Sequence, residues 1–138
     1  MAQEKFRLRK RLAAEPGVEE ILHAWLDAIA DRDFDRARRY LADTGFEHRS
    51  PISHGDDADA YIADISRVGA ILESVETRKV FARGNEVCVV VDYVTHMDKR
   101  RVTPAVHLMR IDRGKIAAIE TFFDARSYAE MFTVEKDE

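Results

Sequence analysis

Cysteine is nearly absent from this chain. Cys88 stands alone among 138 residues, which excludes an internal disulfide, and its Val-rich setting reads as a small buried hydrophobe rather than a nucleophile. Proline and glycine are also scarce, at three and six, and no low-complexity tract, internal repeat or linker is visible. No apolar run reaches the ~18 residues that suggest a membrane-crossing helix. No apolar segment follows the basic N-terminal residues as it would in a secretory signal, so a cytoplasmic location is expected. Charge of one sign is not in excess either. A net charge of -4 and a pI near 5.8 give no overall nucleic-acid footprint. The exception is local: Lys5, Arg7, Arg9, Lys10 and Arg11 form a basic stretch, read as a solvated helix or arm rather than a phosphate-binding tail. The length suits one domain with a full core, divided as an arm over 1–16 and a single domain over 17–138.

Punctuation and periodicity then organise the chain. After Pro16-Gly17, residues Val18, Ile21, Leu22, Trp25, Leu26 and Ile29 recur at helical spacing. Asp31-Arg32-Asp33 breaks that helix, and Phe34, Ala37, Tyr40 and Leu41 stripe a second one that ends at Asp43-Thr44-Gly45. Phe46 to Ser50 reads as a short strand stopped by Pro51, with Ile52 to Gly55 as loop. A third helix, capped by Asp56 or Asp57, carries Tyr61, Ile62, Ile65, Val68 and Gly69 inward. From Ser74 the period becomes two, giving strands near 74–82, 87–97, 102–111 and 116–124. Three helices followed by a meander imply an α+β fold, with helices on one face of a curved antiparallel sheet and a pocket between the layers.

Two residues are out of place in these apolar strands. Asp92 follows Val87-Cys88-Val89-Val90-Val91, and His107 is the only imidazole in Thr103 to Met109. If a tight two-residue turn closes at Lys99-Arg100, facing positions have numbers that add to 199, and Asp92 then lies opposite His107. Such a pair could orient an imidazole tautomer and raise its basicity. A loop of odd length would put the two groups on opposite faces instead. Periodicity alone also allows Asp92 to face outward, with Val89, Val91 and Tyr93 inward, and His107 to be a satisfied core histidine. His48 shares parity with Ser50 and reaches either the pocket or the rim. A metal site from His48, His96 and His107 lacks any close-spaced ligand motif and is not expected.

The chain resembles the nuclear transport factor 2-like proteins, and among them the SnoaL-like branch. The resemblance covers Val18 to Phe132. It rests on Ala30-Asp31-Arg32-Asp33-Phe34, on the strand closing in Ser50-Pro51, on Met109 to Ile116, and on Glu120-Thr121-Phe122-Phe123-Asp124-Ala125-Arg126. It implies a cone-shaped α+β roll around an apolar cavity, on which isomerases, epoxide hydrolases, cyclases, dehydratases and non-catalytic proteins are all built. Ketosteroid isomerases of this family carry their base aspartate where this chain has Ser50, and their oxyanion-binding tyrosine and neutral aspartic acid where it has Trp25 and His107. Limonene epoxide hydrolases are similar at Phe122 to Arg126. Their first catalytic aspartate matches Asp92, while Val90 and Thr121 replace the arginine and second aspartate. Dehydratases of the family use histidine and aspartate in the cavity, and the resemblance thereby puts Asp92 beside His107 on the cavity wall.

The expected ligand is a small hydrophobic, oxygenated molecule. Isomerisation, cyclisation or dehydration would proceed by acid/base chemistry of His107 and Asp92 with no metal or cofactor, and Trp25, His48, Ser50, Tyr61, Val90, Thr121 and Phe123 would line the site. The alternatives are a non-catalytic ligand-binding or dimeric interaction module, and an epoxide hydrolase-like enzyme with an altered catalytic set. No membrane or nucleic-acid partner is expected. A homodimer through the outer sheet face is, because Glu120 and Phe122 alternate away from Thr121 and Phe123.

Overall fold

The computed structural model describes residues 13–126. The basic stretch 5–11 and the segment from 127 onward lie outside the described residues. Helix α1 spans Val18–Ala30 and buries Val18, Leu22, Trp25, Leu26 and Ile29, the stripe its spacing implies. Helix α2 (Phe34–Arg39) is capped by Asp33, whose carboxylate accepts the Arg36 amide at 3.1 Å. Leu41 then bridges to Ile116, which pins the helical layer to the sheet. Strands β1 (Glu47–Arg49) and β2 (His54–Gly55) precede α3 (Ala58–Gly69). Asp57 is the α3 cap, accepting the amides of Asp59 and Ala60 at 2.9 and 3.1 Å.

The long strands are β3 (Leu72–Arg83), β4 (Glu86–His96), β5 (Arg100–Asp112) and β6 (Lys115–Phe123). The sheet runs β2-β1-β6-β5-β4-β3. It is mixed rather than wholly antiparallel, because β1 runs parallel to β6. This follows from the helices that intervene between them: α3 and the meander return the chain to β1 in its own direction. The segment read as loop over 52–55 contributes the two-residue β2, paired with β1.

Register decides which side chains face the helices. Between β4 and β5 the connection is Met97, Asp98 and Lys99, an odd-length loop. Asp92 therefore lies opposite Pro104, and His107 opposite Val89. The expected Asp92–His107 pair is thus corrected: the extra loop residue moves them to opposite faces. Val87, Val89, Val91 and Met109 point into the core and are essentially unexposed, with Ala105 and His107 beside them. Asp92 and Val90 point outward, and the Asp92 carboxylate lies 3.6 Å from the Arg78 guanidinium. Arg78 occupies a bulge in β3, where pairing shifts between Thr77 and Lys79. That bulge, a second near Glu73 and a third where β6 slips past Arg110 bend the sheet around the helices.

Gly114, which from the sequence suits a three-residue turn with a bulge, instead ends a two-residue β5–β6 turn. Arg113 and Gly114 both take positive φ, 53° and 76°, a conformation that glycine adopts without a steric penalty. The slip beyond this turn sets His107 opposite Thr121.

The helical layer is locked at one point. Arg32 at the α1–α2 break donates from Nε to the Gly69 carbonyl at 3.1 Å and from its terminal nitrogen to the Leu72 carbonyl. Gly69 lies so close to Phe34 that a Cβ there would meet the ring at 2.3 Å. Gly69→Ala is expected to lower stability by about 1–3 kcal/mol through overpacking, read as a fall in the urea midpoint with an unchanged m value.

Candidate functional site

Between the helices and the concave sheet face lies a pocket of about 740 Å³. Its helical wall is apolar: Trp25 and Ile29 from α1, Ile65 and Val68 from α3, with Leu72 at the start of β3. Tyr61 enters from α3. The sheet wall carries Tyr93 and Thr95 from β4, Thr103, Ala105 and His107 from β5, and Thr121 and Phe123 from β6. Ser50, Ile52, Ser53, Asp64, Arg67 and Arg126 also border it, and the exposed ones among them mark its mouth.

The polar centre is built around His107, only 6% exposed. Its Nε2 lies 2.5 Å from the Tyr93 hydroxyl and its Nδ1 2.8 Å from the Thr121 hydroxyl. The Tyr61 hydroxyl lies beside Thr121 and completes the cluster. Register explains the arrangement. His107 and Thr121 are directly paired on β5 and β6, while Tyr93, paired with Thr103, lays its long side chain back along the sheet to meet the imidazole.

Burial sets the charge state of this cluster. Desolvation lowers the His107 pKa to about 4, so the ring is neutral near pH 7. Desolvation also raises both tyrosines well above their usual value: at Tyr61 the Thr121 hydrogen bond opposes the rise, and at Tyr93 the neighbouring Tyr61 adds to it. The site is therefore a line of neutral groups, Tyr93–His107–Thr121–Tyr61. A neutral imidazole has one N–H and one lone pair, so it donates to one hydroxyl and accepts from the other, and the whole line can reverse its direction.

The expected site residues divide accordingly. Trp25, Ser50, Tyr61, His107, Thr121 and Phe123 border the pocket. Asp92 and Val90 do not, since both lie on the outer face. His48 is buried but sits behind Tyr61, with ring centroids 4.8 Å apart. Burial is the main cause that lowers its pKa, and His54 adds to this, while Asp64 and Asp56 oppose it. With Phe46 and Trp25 it backs the Tyr61 ring, at centroid distances of 5.6 Å from Phe46 and 6.3 Å from Trp25 to Tyr61. The Ser50 oxygen accepts the amides of Ile52 and Ser53, both at 3.2 Å, and so shapes the loop at the mouth. His96 is exposed at the end of β4, away from the buried His48 and His107. Among the described residues no three His, Cys, Asp or Glu side chains gather as a metal site. The residue missed at the centre is Tyr93. Its signal was parity, because it shares the odd-numbered face with Val89 and Val91.

His107 sets an acid limit on stability. The unfolded chain takes up a proton at this histidine near pH 6.5 and the folded chain only near 4, so protonation favours unfolding between those values and stability falls as pH drops through that window. Denaturant titrations are expected to show a smaller loss from pH 6.5 to 4 in His107→Gln than in the unaltered protein, and the His107 ring protons should titrate in NMR with a midpoint near 4.

Comparison with known proteins agrees with this architecture. The chain is similar to an NTF2-like protein of unknown function from Cytophaga hutchinsonii, with 22% identity, a TM-score of 0.69, and coverage of 80% of this chain and 93% of that one. An LEH-like epoxide hydrolase from M. tuberculosis is 18% identical at a TM-score of 0.68, over 79% of this chain and 84% of that one. A candidate SnoaL-like polyketide cyclase from Jannaschia sp. CCS1 is 16% identical at a TM-score of 0.72, over 86% and 92%. At these identities the likeness is one of fold. No curated protein matches the sequence closely enough to count as a relative. The profile of the SnoaL-like domain matches residues 22–119, a span from the first buried leucine of α1 to the last strand of the pocket wall, and the chain belongs to that SnoaL-like family.

Proposed function

We propose that this protein takes up a small, neutral, largely apolar molecule bearing a carbonyl oxygen and shifts a proton between two of its atoms, isomerising or cyclising it. The observation that carries the reading is the line Tyr93–His107–Thr121, hydrogen-bonded end to end and continued by the adjoining Tyr61 hydroxyl, with both tyrosines bordering the pocket. A proton leaving a carbon next to the carbonyl passes to the Tyr93 oxygen. The Tyr93 proton moves to Nε2, the Nδ1 proton to Thr121, the Thr121 proton to Tyr61, and the Tyr61 proton to the carbonyl oxygen. The ligand becomes its enol and the line is left reversed, ready to run the other way. No step buries a net charge, which suits a site where desolvation opposes ionisation of both imidazole and phenol. The transfers need only these side chains.

Thr121 tests the idea best because it joins the two halves of the line. Exchange of the protons next to the carbonyl of 2-decalone or 1-tetralone, followed by NMR in D2O, should be accelerated by the protein. Thr121→Val should lower that acceleration by about 10²–10⁴-fold, with Thr121→Ser retaining most of it and Asp92→Asn, on the outer face, leaving it intact. Nile red binding should be unchanged throughout. Equal exchange in Thr121→Val and the unaltered protein would refute the relay. Nile red binding without any exchange favours the second reading, a protein that binds such molecules and leaves them unchanged.

We also propose that a second copy covers the outer sheet face. Phe81, Leu108 and Phe122 are 60%, 36% and 50% exposed. They lie in two neighbouring cross-strand rows, Phe81–Cys88–Leu108 and Val90–Val106–Phe122, flanked by Glu120 and Lys79, so the apolar area is contiguous and a two-fold axis through it would bury it against a second copy. Light scattering at micromolar concentration should give a dimer mass, and Phe81→Glu with Phe122→Glu a monomer with unchanged far-ultraviolet circular dichroism.

A further inference from the structure

The sheet wall of the pocket is banded. His107 and Thr121 form one polar row. The next row along the strands, Val91–Ala105–Phe123, is apolar. Polarity returns at Thr103, directly opposite Tyr93, and at Thr95 beyond it. Thr103 and His107 are ~13 Å apart along β5 at the usual rise of an extended strand. Facing all of this, the helical wall offers Trp25, Ile29, Ile65 and Val68, with Tyr61 at the His107 end and Asp64 and Arg67 bordering the pocket from α3.

Threonine suits a strand for its own sake, but the Thr103 hydroxyl borders the pocket and among the described residues it makes no hydrogen bond. A ligand that filled the pocket and left that hydroxyl dry and unpaired would lose free energy, and a ligand oxygen placed there would restore it. The Tyr93 ring spans the gap, with its hydroxyl at the His107 end and its backbone in the Thr103 row.

We infer that Thr103 is a second recognition point, so that the ligand class is a neutral molecule with oxygen functions at both ends of a rigid apolar body, both presented to the sheet wall. This rests on the reading of the pocket given above and narrows it: one oxygen meets the Tyr93–His107–Thr121–Tyr61 line, the apolar middle lies over Ala105 and Phe123, and the second oxygen accepts from or donates to Thr103. Thr103 takes no part in proton transfer. Its contribution is to fix which end of the molecule reaches the relay.

A matched pair of rods separates the two levels of the argument. Biphenyl-4,4'-diol has a hydroxyl at each end, and 4-phenylphenol has one. By isothermal titration calorimetry the unaltered protein should bind the diol about tenfold more tightly than the mono-ol, the worth of one neutral hydrogen bond. Thr103→Val should erase the preference without weakening the mono-ol, Thr103→Ser should keep it, and Tyr93→Phe should weaken both compounds. Binding of both with no preference, or a preference that survives in Thr103→Val, overturns this inference alone and leaves the relay standing. Failure of both compounds to bind the unaltered protein overturns the inference and the reading of the pocket together.

Discussion

The structure depends on the register of the β4–β5 hairpin. One residue more or fewer between His96 and Arg100 would turn every side chain of one strand to the other face. With the three-residue loop present, Val87, Val89, Val91 and Tyr93 share a face with Ala105, His107 and Met109. The core and the pocket are then two lengths of one surface: valines, methionine and isoleucines pack solidly at one end, and hydroxyls with an imidazole take over where the helices diverge from the bent sheet.

Burial does the rest at that site. A histidine with a carboxylate partner would be held charged or strongly basic. Here the imidazole has only hydroxyl neighbours, and desolvation drives it to the neutral form. The same desolvation keeps the tyrosines protonated. A cluster of neutral amphoteric groups can hydrogen-bond an oxygen or pass protons along, but it cannot hold a standing charge against a charged ligand. That is the physical basis of the proposed preference for neutral molecules.

The carboxylate that the strand pattern made conspicuous, Asp92, has a simpler place. On the outer face it meets Arg78 from a bulge of the neighbouring strand. Arg78 is more than half exposed, so the pair contributes little to stability. Glu76 lies directly opposite Asp92 on β3, and Pro104 opposite it on β5.

The sequence by itself determined the three helices, β1, the four long strands and the family, because apolar spacing, a cap such as Asp57, and the break at Arg113-Gly114 are local signals that the fold does not override. The shared face of His107 and Thr121 came from the tertiary structure, because the two-residue turn alone would set Glu120 opposite His107 and the slip beside Arg110 moves the register by one. Tertiary structure alone decided the partner of His107. Nothing in Met97-Asp98-Lys99 encodes a turn type as glycine or asparagine would, so Asp92 and Tyr93, neighbours in the chain with opposite orientations, were equal candidates until the loop length was known. The parallel seating of β1 beside β6 and the convergence of Tyr61 from a helix onto Thr121 from a strand were likewise beyond local reading, because each joins residues far apart in the chain whose meeting depends on how the whole sheet bends.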